Sequence, residues 1–402
     1  MAPRLSVVGH DNQLHVVRAD GTGRSQVTWP KQLDASARWG GVSAEDMASW
    51  PCWSPDGRWL ACFQVGADGM GAGVAIVEAE GVEERLLHEF TDRLPIHLQW
   101  SPDGQLIAVL LQHAEALELW LCSVADGGAR LVAEGSPLFF SWTPDAQSLL
   151  LHVGDGDGEA SRVELRDAVG DGDDLVYRVP PGSFCTPMVA GSGPDPRVVY
   201  VVHSGNQSQV VSCNLQGEGL LGLALLPGLA ALVCDPSGQH VAVSSAGSAD
   251  GTPYDGISVV SVWGGEVRRL VNTPVLAFLW TPDGKRIVWC QWGPKRNRLC
   301  WYMRAIDGSE GPRRLVDFWP TRSQLFQLHF FEQFARSHPL VSADSKWLVW
   351  SGYNDAPKGE DGGGAEVRVL RLDEPDPQPI ALGPGSYAVF EAGPPPDDLS
   401  GV

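Results

Sequence analysis

An all-β fold, an eight-bladed β-propeller of four-stranded antiparallel blades, is what the sequence predicts, and three observations predict it. A short motif recurs along the chain: WSPDG from Trp53 and from Trp100, WTPDA from Trp142 and WTPDG from Trp280. Each copy runs into an apolar stretch of strand length, as in WLACF after the first turn and LIAVL after the second. Intact and degraded copies return every 42–61 residues, the period of a fold that builds several short strands into each repeat.

The anchors fall, in order, at Trp53, Trp100, Trp142, Ser192, Cys234, Trp280, Val341 and Phe390. SGPDP from Ser192 keeps Pro-Asp, CDPSG from Cys234 exchanges Asp and Ser, VSADS from Val341 keeps Ser and Asp, and FEAGP from Phe390 keeps almost nothing. Pro sets φ for the second position of a tight turn, Asp tolerates the third, and Gly accepts a positive φ at its end. Seven places after the anchor stand Leu60, Ile107, Leu149, Val199, Val241, Ile287 and Leu348, in runs that are apolar on both faces. Such a strand is buried on both sides, as a blade between two neighbours must be. Further strands follow in GVAIVEAEG (73–81), LELWLCSVADGG (117–128) and ISVVSVWGG (257–265), and RRLV closes two blades at 268–271 and 313–316. The N-terminal LSVVG, QLHVVRADGTG and SQVT form a blade without its innermost strand, and SYAVFE (386–391) supplies a lone one. Pairing the two ends in one blade hides edges that an open ring would expose. Seven blades is the alternative if the Phe390 or Ser192 anchor is discounted. The expected organisation is a single domain over 1–391 and a flexible tail over 392–402.

Composition narrows the partners. With 29 Lys plus Arg against 49 Asp plus Glu, the formal charge is −20. An acidic surface repels nucleic acid and anionic membranes. No stretch reaches the roughly 18 apolar residues of a membrane span, and the N-terminus lacks a secretory apolar core, so the expectation is a cytoplasmic protein. The eight cysteines form no CxxC pair and several fall inside apolar runs, where they read as small buried hydrophobes rather than disulfide or metal ligands.

WSPDG, WTPDG and the strand pair QLHVVRADGTGRSQVT (13–28) resemble the TolB-like propellers, which also serve as the propeller of dipeptidyl-peptidase-type serine peptidases. The resemblance spans residue 4 to about residue 391 and speaks to fold more than to function, because propellers host unrelated activities. TolB-type proteins add a secretion leader and an N-terminal domain, and the peptidases add an α/β-hydrolase domain. Neither is visible here, and no GxSxG occurs. A related group, the cytoplasmic oligogalacturonide lyases, holds a metal in its propeller through histidines.

Two places carry candidate chemistry. The interval of 61 residues before Val341 contains an aromatic insert with Phe318, Trp319, Phe326, Phe330, Phe331 and Phe334, which could form a lid over one mouth of the central channel. The bland alternative is a packed elaboration that buries its own rings. Aligned three places before the anchor, His338, Tyr387, Trp50 and His97 fall in four neighbouring blades, whereas the other four blades place Phe139, Val189, Ala231 and Ala277 there. This polar arc, with Glu332 and Arg336 just upstream of His338, could line a site at the channel mouth. GDGDGE (154–159) and GDGDD (170–174) fall short of the calcium-loop spacing, GMGAG (69–73) reads as a hairpin loop, and NDAPKGEDGGGAE (354–366) reads as a long polar loop.

The function expected from these residues is a non-enzymatic protein- or peptide-binding scaffold, monomeric, without metal or cofactor. The alternative is a propeller enzyme, a carbohydrate lyase or hydrolase taking a small molecule or oligosaccharide, with its site around His97 and His338.

Overall fold

A computed structural model describes residues 1–28, 38–39, 42–43, 50–65, 72–154, 161–170, 174–177, 185–191, 193, 195–246, 253–294, 298–353 and 364–393. Among these, six antiparallel sheets have four strands each, one has seven, and a two-stranded hairpin pairs Arg38–Trp39 with Val42–Ser43. The molecule is a β-propeller. Its sheets follow one another along the chain, and their innermost strands include Cys52–Trp53, Leu94–Trp100, Leu138–Trp142, Met188–Ala190, Leu229–Cys234 and Ala277–Trp280. In the closing sheet Tyr387–Phe390 pairs with Arg4–Val8, which pairs with Leu14–Arg18 and then Ser25–Gln26. Phe390 stands opposite Leu5. That anchor keeps no turn because its partner strand comes from the N-terminus, so no hairpin is needed after it. Arg4 locks the closure, donating to both carboxylate oxygens of Glu391 at 2.8 Å and to the Gly57 carbonyl.

The recurring motif is a small hydrogen-bonded device. In the first copy the Ser54 hydroxyl donates to Asp56 and accepts from the Trp59 N–H at 2.9 Å, and Asp56 also accepts from the Arg58 N–H at 3.0 Å. Ser101 with Asp103, Thr143 with Asp145, Thr281 with Asp283 and Ser342 with Asp344 repeat it. At the degraded Cys234 anchor the exchange of Asp and Ser preserves the device with its parts reversed. Asp235 takes the His240 N–H at 2.9 Å and the Ser237 hydroxyl. The Ser192 anchor lies outside the described residues, but strands Met188–Ala190 and Arg197–Ser204 flank it in one sheet.

The anchor indoles tie neighbouring sheets together. Trp100 Nε1 donates to the Cys52 carbonyl and Trp280 Nε1 to the Val233 carbonyl, each at 2.9 Å. All eight cysteines are buried and none is disulfide-bonded.

The seven-stranded sheet departs from the simple repeat. Strand Arg313–Pro320 runs four residues beyond RRLV and pairs at Trp319 and Pro320 with Tyr353 and Gly352. Trp319 therefore belongs to a strand rather than to the insert. Gly352 permits the join, because a Cβ there would stand 2.3 Å from the Trp319 carbonyl oxygen. The strand that should precede Trp347–Tyr353 is reduced to a single bridge, Val341 with Leu348. The chain between forms two short helices, α1 (Arg322–His329) and α2 (Phe331–Phe334).

Residues 155–159 and 171–173 of the two acidic loops, 69–71 of the glycine-rich loop and 354–363 of the long polar loop lie outside the described residues. Of the expected tail, 394–402 lies outside them too.

Candidate functional site

The innermost strand of a propeller blade has a free edge facing the channel, and its N–H and C=O groups must find partners there. In this protein the segment from Thr321 to His338 supplies them. The Gln333 side chain accepts from the Phe140 N–H at 3.0 Å and donates to the Phe140 carbonyl at 2.9 Å. Glu332 accepts from the Leu232 N–H at 2.7 Å. Arg336 donates to the Val189 carbonyl at 2.6 Å. The Ser337 carbonyl accepts from the Cys52 thiol at 3.4 Å. Thr321 caps α1 by accepting from the Gln324 N–H and donates to the Ser386 carbonyl. These partners come from sheets all around the ring, so the insert occupies the channel and does not form a lid above it.

Every residue of α2 is buried. Phe331 packs against Phe278 at 4.7 Å between ring centroids, and Phe334 against His97 at 4.6 Å and Trp50 at 5.1 Å. Phe330, between the two helices, is 36 % exposed and leans on Phe326. Trp319 stands apart, with the Arg298 guanidinium 4.7 Å over its ring.

The polar arc is brought together as the alignment implies, but around the Phe334 ring. His97 and His338 are 5.2 Å apart between centroids, and Trp50 is 5.1 Å from Tyr387 and 6.3 Å from His338. The Ser337 hydroxyl lies between the imidazoles, 2.8 Å from His338 Nδ1 and 3.4 Å from His97 Nε2. His97 is 0 % and His338 1 % exposed, so in this structure neither is open to a substrate from solvent. Burial pushes the His97 imidazole down to about 3 and holds His338 well below the usual range, leaving both neutral. Burial raises the Glu332 carboxyl to about 8, against the opposing hydrogen bond from Leu232. It also pushes the Cys52 thiol up to about 12. Among the described residues no group of three or more His, Cys, Asp or Glu is placed to hold a metal ion.

One mouth of the ring stays open beside the plug. A funnel of about 360 Å³ opens where the Ser-Pro-Asp turns converge, and Pro55, Pro102, Pro144 and Pro236 line it. Trp53, Trp100, Trp142 and Trp280, each no more than 7 % exposed, also contribute to the lining, and Ala335, Arg336 and Ser337 of the insert close it on the channel side. Ala392 and Gly393 complete the lining. Arg336 is exposed to solvent yet set deep among protein atoms, so desolvation lowers its pKa although it stays a cation. Asp235, also in the lining, is 3 % exposed.

Of the residues singled out from sequence, Arg336 alone faces this funnel; the arc and Phe331 lie in the plug's packing. The indoles and prolines of the wall escape a reading that assigns them only to turns. Their signal is nonetheless present, because residues at one position of every repeat stand at one level of the ring and converge on its mouth.

No protein-family model matches the chain, and no curated protein does. Solved structures match the fold. A structure of prolyl endopeptidases aligns with a TM-score of 0.56 at 12 % identity, covering 87 % of this chain and 51 % of that one. The β-propeller domain of the Trilobed protease from Pyrococcus furiosus aligns at 0.51 and 12 % identity, covering 85 % and 98 %. An oligogalacturonate lyase in complex with manganese aligns at 0.51 and 15 % identity, covering 87 % and 90 %. At these identities the likeness is one of fold alone. No helix among the described residues is long and apolar enough to cross a membrane.

Proposed function

We propose that this chain is an eight-bladed, TolB-like propeller, the seven-stranded sheet counting as two blades, that acts as a non-enzymatic binding module for a protein or peptide segment. The observation that carries the reading is the funnel. It is concave, walled by the anchor indoles and turn prolines, and closed below by a segment bonded to the inner strands of the ring. Recognition sites combine apolar walls with few polar groups, and cavities of roughly 300–1,000 Å³ are typical of them. The groups that could do acid–base chemistry, His97, His338 and Glu332, are engaged in holding the plug. Action in the cytoplasm as a monomer belongs to the same proposal.

Selection of short random peptides by display, followed by photo-crosslinking of the enriched peptides, tests it. Cross-links should map to residues 53–55, 99–102, 142–144 and 335–337. No enrichment, or cross-links confined to the outer strands, would overturn the reading.

A further inference from the structure

We propose that the funnel captures the C-terminal carboxylate of a partner polypeptide, with Arg336 as its anchor. The inference rests on the peptide-binding reading above and adds the chemistry at the bottom of the site.

Arg336 is the only cation among the described residues lining the funnel. One of its N–H donors is used by the Val189 carbonyl, and among the described residues no carboxylate stands within ion-pairing distance of it. The nearby acid, Asp235, acts on Arg336 through its field and forms no direct ion pair with it among the described residues; its oxygens accept from the His240 N–H and the Ser237 hydroxyl. An exposed, partly desolvated guanidinium with donors to spare matches a carboxylate through paired hydrogen bonds. The other described lining residues are apolar or uncharged, apart from Asp235.

The shape selects which carboxylate. The plug makes the funnel blind, so a chain that enters cannot pass through the ring. A chain end can place its terminal carboxylate on Arg336 and lay its last side chains against the turn prolines, which are more exposed than the indoles beside them, whereas an internal acidic residue would require the chain to enter and turn back in a narrow space. With a formal charge of −20 on the whole chain, long-range attraction does not bring an anion here, and selectivity must come from the local pairing.

The test uses the full chain and short peptides ending in Leu, Phe, Trp or Pro, each made as the free acid and as the C-terminal amide, with tryptophan fluorescence as the readout. The free acids should bind about tenfold more tightly than the amides, as expected for a charge-assisted pair. Arg336→Gln, which keeps a donor for Val189 and removes the charge, should abolish that difference. Arg336→Lys should retain part of it. Equal binding of acid and amide to the wild type, or a difference that survives in Arg336→Gln, would overturn the carboxylate anchor while leaving peptide binding intact. Failure of both forms to bind would remove the peptide reading and this inference with it.

Discussion

The carboxamide of Gln333 holds the backbone of Phe140 from both sides, taking its N–H at 3.0 Å and giving to its carbonyl at 2.9 Å. A side chain of the insert thus does for the inner strand what a neighbouring strand would do. Gln333→Ala leaves both backbone groups without that partner in a buried setting, where each orphaned group costs roughly 1–3 kcal/mol. For two such groups we expect a loss of about 2–6 kcal/mol in denaturant unfolding. A loss under about 0.5 kcal/mol, the range of ordinary surface changes, would show that the contact is incidental.

Glu332 gives the plug a pH dependence of known sign. Its folded pKa, about 8, lies above the ordinary 4.5, so between those values the folded protein keeps a proton that the unfolded chain has released. Stability therefore falls as pH rises through that interval and stops falling above about 8. Glu332→Gln keeps an acceptor for Leu232 and removes the titration. The stability difference between variant and wild type should widen in the variant's favour from about pH 4.5 to about pH 8. A difference independent of pH would contradict the burial of that carboxyl.

The imidazoles act on the acid side. His97 is held at about 3 against the ordinary 6.5, so the folded protein refuses a proton that the unfolded chain binds. This contribution is present above 6.5 and is lost as pH falls from 6.5 towards 3. Replacing His97 by Gln should flatten the acid slope of stability, measured by denaturation at a series of pH values. An unchanged slope would mean that the imidazole is hydrated.

The anchor indoles are not equivalent. Trp100 donates to the Cys52 carbonyl, whereas Trp142 Nε1 has no partner among the described residues. Both are buried, so changing either to Phe removes similar apolar area. Trp100→Phe should cost about 1 kcal/mol more than Trp142→Phe, the net worth of one hydrogen bond. Equal losses in thermal or denaturant unfolding would contradict that difference.

Fold and site were unequally legible in the sequence. The Ser-Pro-Asp turn and the apolar runs report local hydrogen bonding and double-sided burial, so the sheets could be read from them. Position three before the anchor correctly grouped His97, His338, Trp50 and Tyr387, because a repeat places equivalent residues at equivalent heights. What the repeat could not show is what fills its centre. The insert breaks the period, and its aromatic composition fits a lid as well as a plug. Long-range pairs such as Gln333 with Phe140, Glu332 with Leu232 and Arg336 with Val189 distinguish them, and nothing local encodes those. Arg336 was selected for its closeness to His338, yet it faces the funnel from the other side of the plug.

The central claim is that the insert fills the channel, and native-state hydrogen exchange at residue resolution tests it most directly. Among the described residues the N–H of Phe140 is bonded by the Gln333 side chain, and that of Leu232 by Glu332. The account predicts that both exchange slowly, like the strand-paired amides beside them, and that Gln333→Ala releases Phe140 alone. Rapid exchange of both amides in the native wild-type protein would show an open, water-filled channel and contradict the account.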